Sequence, residues 1–210
     1  MAKSRGPVSG SRRLGVAAEP AASRVWVGED EGQTALLIDG VVQSVVVGDG
    51  PLGPGYWPLM VPDVRPRQAL ILGMGGGTIT HLLRRRFGKL PILGVERDPR
   101  VIQLAQRAFG LKLPDVEILE GDAFAFVATC KDCFDYIAVD LFADGRVPGA
   151  IFAQPFLRGI RQLLTPGGAA YLNFFKDRGA PRRVERLRQV FPRVELLGSD
   201  RNLVAVCRRR

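Results

Sequence analysis

The sequence of 210 residues is poor in the side chains that build metal centres and disulfide frameworks. It contains three cysteines and one histidine. Cys130 and Cys133 form a CxxC motif, but a structural zinc site needs four ligands. The remaining candidates, Cys207 and His81, lie in unrelated segments. We therefore predict two free thiols on a loop and no bound metal, as expected in a reducing compartment.

Long hydrophobic runs are also missing. None approaches the ~20 residues that a membrane-spanning helix needs. The opening stretch, MAKSRGPVSGSRRLG, is basic, and no apolar segment of the kind found in a secretory signal follows it. Hydrophobic residues make up 46% of the chain and charged residues 24%, which is typical of a globular domain. These features predict a cytoplasmic protein without membrane contact.

Acidic residues and lysine are both scarce relative to arginine. The chain has 30 basic and 21 acidic residues, a net charge of +9, and only five of the basic residues are lysine. Arginine clusters near the start, at 84–86, within 182–193 and at the end. A basic surface attracts anions such as nucleic acid, although a merely solvated surface explains the same composition. Nucleic acid binding through these patches is therefore one of two alternatives.

The sequence divides into three regions. Residues 1–23 are rich in Ser, Gly, Ala, Pro and Arg without periodicity, which predicts a disordered basic tail. Residues 24–62 hold three strand-like runs, and Asp39-Gly40 predicts a hairpin between the last two, so we expect a small N-terminal β element. Residues 63–210 alternate strands with amphipathic helices. This pattern predicts an α/β fold with a doubly wound, mostly parallel, seven-stranded Rossmann-like sheet.

The segment LILGMGGGTITHLL, residues 70–83, joins a predicted strand to a helix through a glycine-rich loop. Ligands of doubly wound sheets lie beside the first such loop. The dinucleotide signature needs glycine where this loop has Thr78, and no P-loop lysine follows, so a dehydrogenase or a triphosphate-binding protein is disfavoured. Gly73, Gly75 and Gly77 instead form a GxGxG loop, which is typical of proteins that bind S-adenosylmethionine (SAM).

Carboxylates follow the predicted strands where such a ligand would lie. Glu96 ends the second strand of the sheet, where it can accept hydrogen bonds from both ribose hydroxyls. Asp122 and the adjacent Ala123 follow the third strand and are assigned to the adenine, although Asp122 equally suits a helix N-cap. Asp140 ends the fourth strand beside the expected sulfonium. Asp144 is either a substrate-binding carboxylate or a turn residue.

Several motifs occur in the order seen in the spermidine synthase family: LIDGVVQS, LILGMGGGT, GVERDPRVI, EGDAFAF, FDYIAVDLF and LTPGGAAYLN. From about Val25 to Asn173 the chain resembles a divergent branch of that family. The resemblance implies transfer of an aminopropyl group from decarboxylated SAM to an amine, with methylthioadenosine as the product. It also implies that Asp140 is catalytic, that Gln43 and Tyr56 lie near the amine, and that the protein forms a homodimer.

Two positions depart from the family pattern. Gly75 stands where the family carries an aspartate that holds the donor's ammonium, and Pro58 replaces a glutamate near the amine site. Three functions are therefore open: aminopropyl transfer, SAM-dependent methylation of a protein, RNA or small molecule with S-adenosylhomocysteine as the product, and non-catalytic nucleoside binding. Because Glu96 and Asp140 are both present, the two enzymatic functions are favoured.

Overall fold

The computed structural model of the protein describes residues 23–48, 55–143 and 145–210, which form two β-sheets and five α-helices. The predicted tail, apart from its last residue, lies outside the described residues, and so does Asp144. Among the helices that are described, none is long and apolar enough to cross a bilayer.

The small sheet is an antiparallel meander of β1 (Val25–Asp30), β2 (Gln33–Ile38) and β3 (Val41–Val45). Two-residue turns connect the strands, and both residues of each turn have positive φ angles, which suits tight hairpins. The predicted turn is Asp39-Gly40, with φ angles of 49° and 81°. Glu31-Gly32 forms the other turn, which the sequence analysis had not identified.

The large sheet contains seven strands in the order β6-β5-β4-β7-β8-β10-β9. The first five are parallel, and β10 is antiparallel to both of its neighbours, β8 and β9. The strands are β4 (Ala69–Leu72), β5 (Ile92–Glu96), β6 (Val116–Glu120), β7 (Phe134–Val139), β8 (Leu164–Phe175), β9 (Arg193–Gly198) and β10 (Asn202–Arg208). This arrangement confirms the predicted fold class.

Helices cover the sheet in the order expected of alternating βα units. They are α1 (Thr78–Phe87), α2 (Pro99–Ala108), α3 (Ala123–Thr129), α4 (Gln154–Leu163) and α5 (Ala180–Arg188), with short 3₁₀ turns at Trp57–Met60 and Gly149–Phe152. Helices α3, α4 and α5 share one apolar cluster with the sheet, and α1 shares another with the first 3₁₀ turn. Helix α2 also packs against the small sheet, where Val101 and Phe109 contact Leu36.

The strand order reverses between β4 and β7. Chain connections leave β4 toward β5 on one side, whereas β7 pairs with β4 on the other. The backbone N–H of Asp140 donates to the carbonyl of Leu72 over 2.9 Å, so the ends of these two strands lie side by side. Such a switch point opens a crevice at the carboxyl ends of the strands, which is where ligands bind in this architecture.

Candidate nucleoside and amine site

Glycine at position 73 lets the chain turn against the end of β7. Gly73 has a φ of 83°, and a Cβ built on it would lie 2.3 Å from the carbonyl oxygen of Asp140. No side chain fits that gap. The backbone of the loop therefore approaches the crevice closely, and Gly73 borders the cavity found there.

The glycine loop is held by hydrogen bonds from two directions. The N–H of Gly75 donates to Oε2 of Glu96 over 3.0 Å, and the N–H of Gly76 donates to Oγ of Ser44 over 2.7 Å. Thr78 completes the attachment, because its Oγ1 accepts from the N–H of Val45 and donates to the carbonyl of Val45, both over 2.9 Å. Strand β3 therefore fixes the shape of the loop, a role that sequence reasoning missed for Ser44 and Thr78.

Glu96 occupies the predicted position at the end of β5. Besides the bond from Gly75, its Oε1 accepts from the N–H groups of Arg97 and Asp98 over 2.9 and 3.1 Å. Three backbone donors thus fix the carboxylate beside the cavity. A carboxylate has about four acceptor sites, so this one retains capacity for a ligand hydroxyl.

Asp122 caps helix α3 and also borders the cavity. Its Oδ1 accepts from the N–H of Ala125 over 2.9 Å, the geometry of an N-cap. The side chain is exposed and lines the cavity together with Ala123. The N-cap role is therefore present, and the cavity position leaves the nucleoside role compatible with it.

One cavity of about 490 Å³ gathers most of the predicted site. A volume of this size suits a drug-sized or nucleoside ligand. The predicted residues that line it are Gln43, Tyr56, Gly73, Gly75, Glu96, Asp122, Ala123 and Asp140. Gly77 is not among the lining residues: it starts α1 with a φ of 90°, and a Cβ there would lie 2.4 Å from Leu111. Asp144 lies outside the described residues.

The Asp140 carboxylate accepts hydrogen bonds from two side chains that are far apart in the sequence. The hydroxyl of Tyr56 donates to Oδ2 over 2.9 Å, and Nδ2 of Asn173 donates to Oδ1 over 2.8 Å. Burial raises the pKa of Asp140 to about 6, although both hydrogen bonds act in the opposite direction. Burial, together with the nearby Asp140 carboxylate, raises the pKa of Tyr56 above its usual value, so this hydroxyl remains a donor.

The cavity is acidic although the protein is basic. Its described lining contains five carboxylates and the guanidinium of Arg97; the carboxylates are Asp39, Glu96, Asp98, Asp122 and Asp140. Asp98 is neutralised by Arg100, whose Nη2 lies 2.6 Å from Oδ2. The remaining excess of negative charge favours a cationic ligand such as a sulfonium or an ammonium. The basic net charge of the chain therefore does not extend into this cavity.

None of the cysteine and histidine side chains is among the described residues that line the cavity. Cys130, Cys133 and Cys207 are free thiols. Nε2 of His81 lies 2.6 Å from the carbonyl oxygen of Phe109, and burial lowers the pKa of this imidazole, which suits a neutral structural histidine. Within the described ranges, no group of three or more His, Cys, Asp or Glu residues is arranged to hold a metal.

The fold and the site together define a class. A sheet of this order, with a glycine loop at its switch point and carboxylates after the next strands, belongs to the SAM-methyltransferase type of Rossmann-like folds. Within that class, the spermine/spermidine synthase domain family matches residues 57–174, more than half of the sequence. The chain belongs to this family.

Individual relatives agree with the family. A probable polyamine aminopropyl transferase of Bifidobacterium longum is 34% identical over 136 residues, which cover 63% of this chain and 30% of the relative. The chain therefore spans under a third of that protein's length. A probable spermidine synthase from Corynebacterium glutamicum has the same fold, with a TM-score of 0.76, 20% identity, and coverage of 94% of this chain and 81% of the other.

A methyltransferase is similar as well. Human methyltransferase-like protein 13, solved in complex with SAH, superposes with a TM-score of 0.64 and 26% identity, over 73% of this chain and 76% of the other. The fold therefore occurs both in a probable spermidine synthase and in a methyltransferase, so the fold alone does not decide between the two reactions.

Proposed function

We propose that the protein is a transferase that moves an aminopropyl group from decarboxylated SAM to an amine acceptor. The observation that carries this proposal is the Asp140 carboxylate, which borders an acidic cavity between hydrogen bonds from Tyr56 and Asn173. The spermine/spermidine synthase domain match over residues 57–174 supports the same reaction.

Donor binding is assigned to the edge of the cavity formed by β4, β5 and β6. The backbone of Gly73 and Gly75 approaches the ligand, and Glu96 accepts from a ribose hydroxyl at the acceptor site that its three backbone donors leave. Asp122 contacts the adenine, and the adjacent Ala123 lines the same part of the donor site. The excess of carboxylates in the lining favours decarboxylated SAM, since loss of its carboxylate leaves a sulfonium and an ammonium. Gly77 acts indirectly, by starting helix α1.

Asp140 is assigned to the acceptor. With a pKa of about 6 the carboxylate is ionised near neutral pH, so it attracts an ammonium and removes one proton from it, which frees the lone pair on nitrogen for attack. The acceptor nitrogen then bonds to the donor's methylene carbon, the carbon–sulfur bond breaks, and its electron pair stays on sulfur. The products are an aminopropylated amine and methylthioadenosine. Tyr56 contacts Asp140 directly and Gln43 lines the same cavity, and Asp144 remains a predicted acceptor contact.

Methyl transfer from SAM is the second candidate, and one feature of the loop favours it. Gly75 offers no carboxylate to an aminopropyl ammonium, and a Cβ at this position would lie 2.7 Å from Oγ of Ser44. The hydroxyl of Ser44 therefore occupies space that a longer side chain would need. In this reaction Asp140 would orient the acceptor, and the product would be S-adenosylhomocysteine.

Three expectations about the setting of the protein remain predictions. A cytoplasmic location agrees with the finding that none of the described helices could span a membrane. The homodimer is implied by family resemblance, and nucleic acid binding is implied by the arginine clusters. The acidic cavity supports a small-molecule amine as the acceptor in the proposed reaction. The arginine clusters have no role in that reaction.

The test supplies each donor separately. Purified protein is incubated with decarboxylated SAM and putrescine, or with SAM and a panel of amines, and the nucleoside products are separated by chromatography. Methylthioadenosine that accumulates together with spermidine supports the proposal, and S-adenosylhomocysteine supports methyl transfer. Asp140→Asn serves as the control, with turnover expected to fall by about 10²–10⁴-fold. Donor binding without either product would point to the non-catalytic alternative.

A further inference from the structure

Asn173 is a polar residue in the buried, apolar second half of β8. It belongs to β8, where residues 169–174 are all buried, and its own side chain is 0% exposed. Burying an amide without hydrogen-bond partners is costly, so a polar side chain in such a position requires an explanation. One partner is Oδ1 of Asp140, at 2.8 Å.

A second buried asparagine donates a hydrogen bond to the side-chain oxygen of Asn173. Nδ2 of Asn202 donates to Oδ1 of Asn173 over 2.9 Å, and Asn202 is 8% exposed. Asn202 begins β10, which runs antiparallel to β8 with Val204 opposite Asn173. Side chains two residues apart point to the same face of a sheet, so Asn202 and Asn173 are diagonal neighbours.

The Asp140 carboxylate and the Asn202 amide together favour one orientation of the Asn173 amide. The oxygen and nitrogen of an amide group have nearly the same size, so packing alone does not distinguish the two orientations. An N–H from Asn202 requires oxygen on its side, which leaves the NH₂ group of Asn173 directed at Asp140. In the reverse orientation the amide oxygen would face the carboxylate and repel its negative charge.

We propose that Asn202 is a positioning residue that acts through Asn173 to orient the Asp140 carboxylate and to favour its ionised form. Asn202 is not among the described residues that line the cavity, and its hydrogen bond to Asn173 links it to Asp140 through one intervening side chain. The importance of this arrangement for turnover rests on the proposed function, whereas its effect on Asp140 itself does not.

Other groups also act on Asp140 and remain in place when Asn202 is changed. Tyr56, which precedes the first 3₁₀ turn, donates to its second oxygen. Burial raises the pKa of Tyr136 on β7, with smaller contributions from Tyr171 and Asp140, so Tyr136 lies near the carboxylate. Glu96 and Asp122 line the same cavity at the ends of neighbouring strands. A change at Asn202 alone therefore isolates the contribution of the asparagine pair.

The test measures Asp140 directly, without turnover. Asn202→Leu and the smaller Asn202→Ala are prepared with carbon-13 in the aspartate carboxyl groups, and the Asp140 resonance is assigned by its loss in Asp140→Asn. Titration by NMR should show the pKa of Asp140 higher than in the parent protein by about one unit in both variants, since a hydrogen bond to the charged form weakens. Cys207→Ala, a buried change farther along β10, controls for general loosening and should leave this pKa unchanged.

Turnover provides the second readout. In both Asn202 variants the acidic limb of the pH–rate profile should shift to higher pH by the same amount as the pKa of Asp140. In Cys207→Ala the acidic limb should stay where it is in the parent protein. An unchanged Asp140 titration in folded Asn202 variants overturns the proposal, because the asparagine then serves packing alone. A raised pKa in a protein without transferase activity upholds the asparagine pair and refutes the proposed function instead.

Discussion

The hydroxyl of Tyr56 lies 2.9 Å from Oδ2 of Asp140, although 84 positions separate the two residues. The contact joins the segment before the first 3₁₀ turn to the end of β7, and both residues line the cavity. It also uses one of the acceptor sites of the carboxylate. A residue outside the parallel strands therefore helps to set the proton affinity of the proposed catalytic group.

Replacing Tyr56 by phenylalanine tests that influence. The hydrogen bond from Tyr56 lowers the pKa of Asp140, so Tyr56→Phe should raise it above about 6. Below the new pKa more of the carboxylate is protonated, and the acidic limb of the rate profile should move to higher pH. For a rise of about one pKa unit, we expect about a threefold loss of turnover at pH 6.5 and almost none at pH 9. An equal loss at both pH values would show that Tyr56 acts on the acceptor and leaves the ionisation of Asp140 unchanged.

Glu96 should determine affinity for the nucleoside. Glu96→Gln removes the charge that strengthens hydrogen bonds to ribose hydroxyls, so the dissociation constant for methylthioadenosine should rise about tenfold or more. Calorimetry or thermal shift measures this change. Glu120→Gln is the matched control, because Glu120 ends the neighbouring strand directly opposite Glu96 and lies outside the lining of the cavity. Equal affinities in the two variants would contradict the assignment.

Gly73 should tolerate no side chain. In Gly73→Ala the new methyl group would collide with the carbonyl of Asp140 at a positive φ, so we expect a loss of about 3–5 kcal/mol in unfolding free energy and no nucleoside binding. Gly110 also has a positive φ, of 67°, but open space surrounds it. Gly110→Ala should therefore cost only about 1–2 kcal/mol. Chemical denaturation compares them, and similar losses would exclude the steric explanation.

Asp140 should destabilise the unliganded protein at neutral pH. Folding raises the pKa of Asp140 from 3.8 to about 6, so the carboxylate binds a proton more tightly in the folded state than in the unfolded state. The stability contributed by the protonated carboxyl group is fully present below about pH 4, and it is lost as the pH rises through the folded-state pKa of about 6. Asp140→Asn lacks this loss and should be more stable than the parent by up to about 3 kcal/mol at pH 8.

Melting curves at several pH values check the stability effect of Asp140→Asn. The variant and the parent should melt at similar temperatures near pH 4, and the variant should melt at a higher temperature at pH 8. A variant that is less stable at pH 8 would mean that the carboxylate mainly stabilises the fold through Tyr56 and Asn173. Loss of turnover together with increased stability is the combination expected for a group retained for function.

Much of the fold and part of the site follow from local sequence signals. Glycines after an apolar strand and acids after the next ones predict a shared crevice, because parallel strands end at one edge of a sheet. That reasoning located Gly73, Glu96, Asp122 and Asp140 beside one cavity. The hairpin turn at Asp39-Gly40 likewise follows from backbone preferences alone.

The rest of the site depends on contacts between distant segments, which no local pattern records. Asn173 and Asn202 are 29 positions apart and meet only because β10 inserts antiparallel beside β8. Ser44 reaches the glycine loop over 32 positions. One signal was available for Asn173, a lone amide within the apolar run AAYLNFF, since buried polar groups are rare unless they have partners.

The two attachments of β3 to the glycine loop make the small sheet part of the binding machinery. Ser44 satisfies the N–H of Gly76, and Val45 satisfies both hydrogen-bonding directions of the Thr78 hydroxyl. A fragment that begins after β3 would leave these buried groups unpaired at the point where the loop meets its ligand. A fragment designed to test the proposed nucleoside binding should therefore include β3, because an isolated Rossmann-like core would lack these hydrogen bonds.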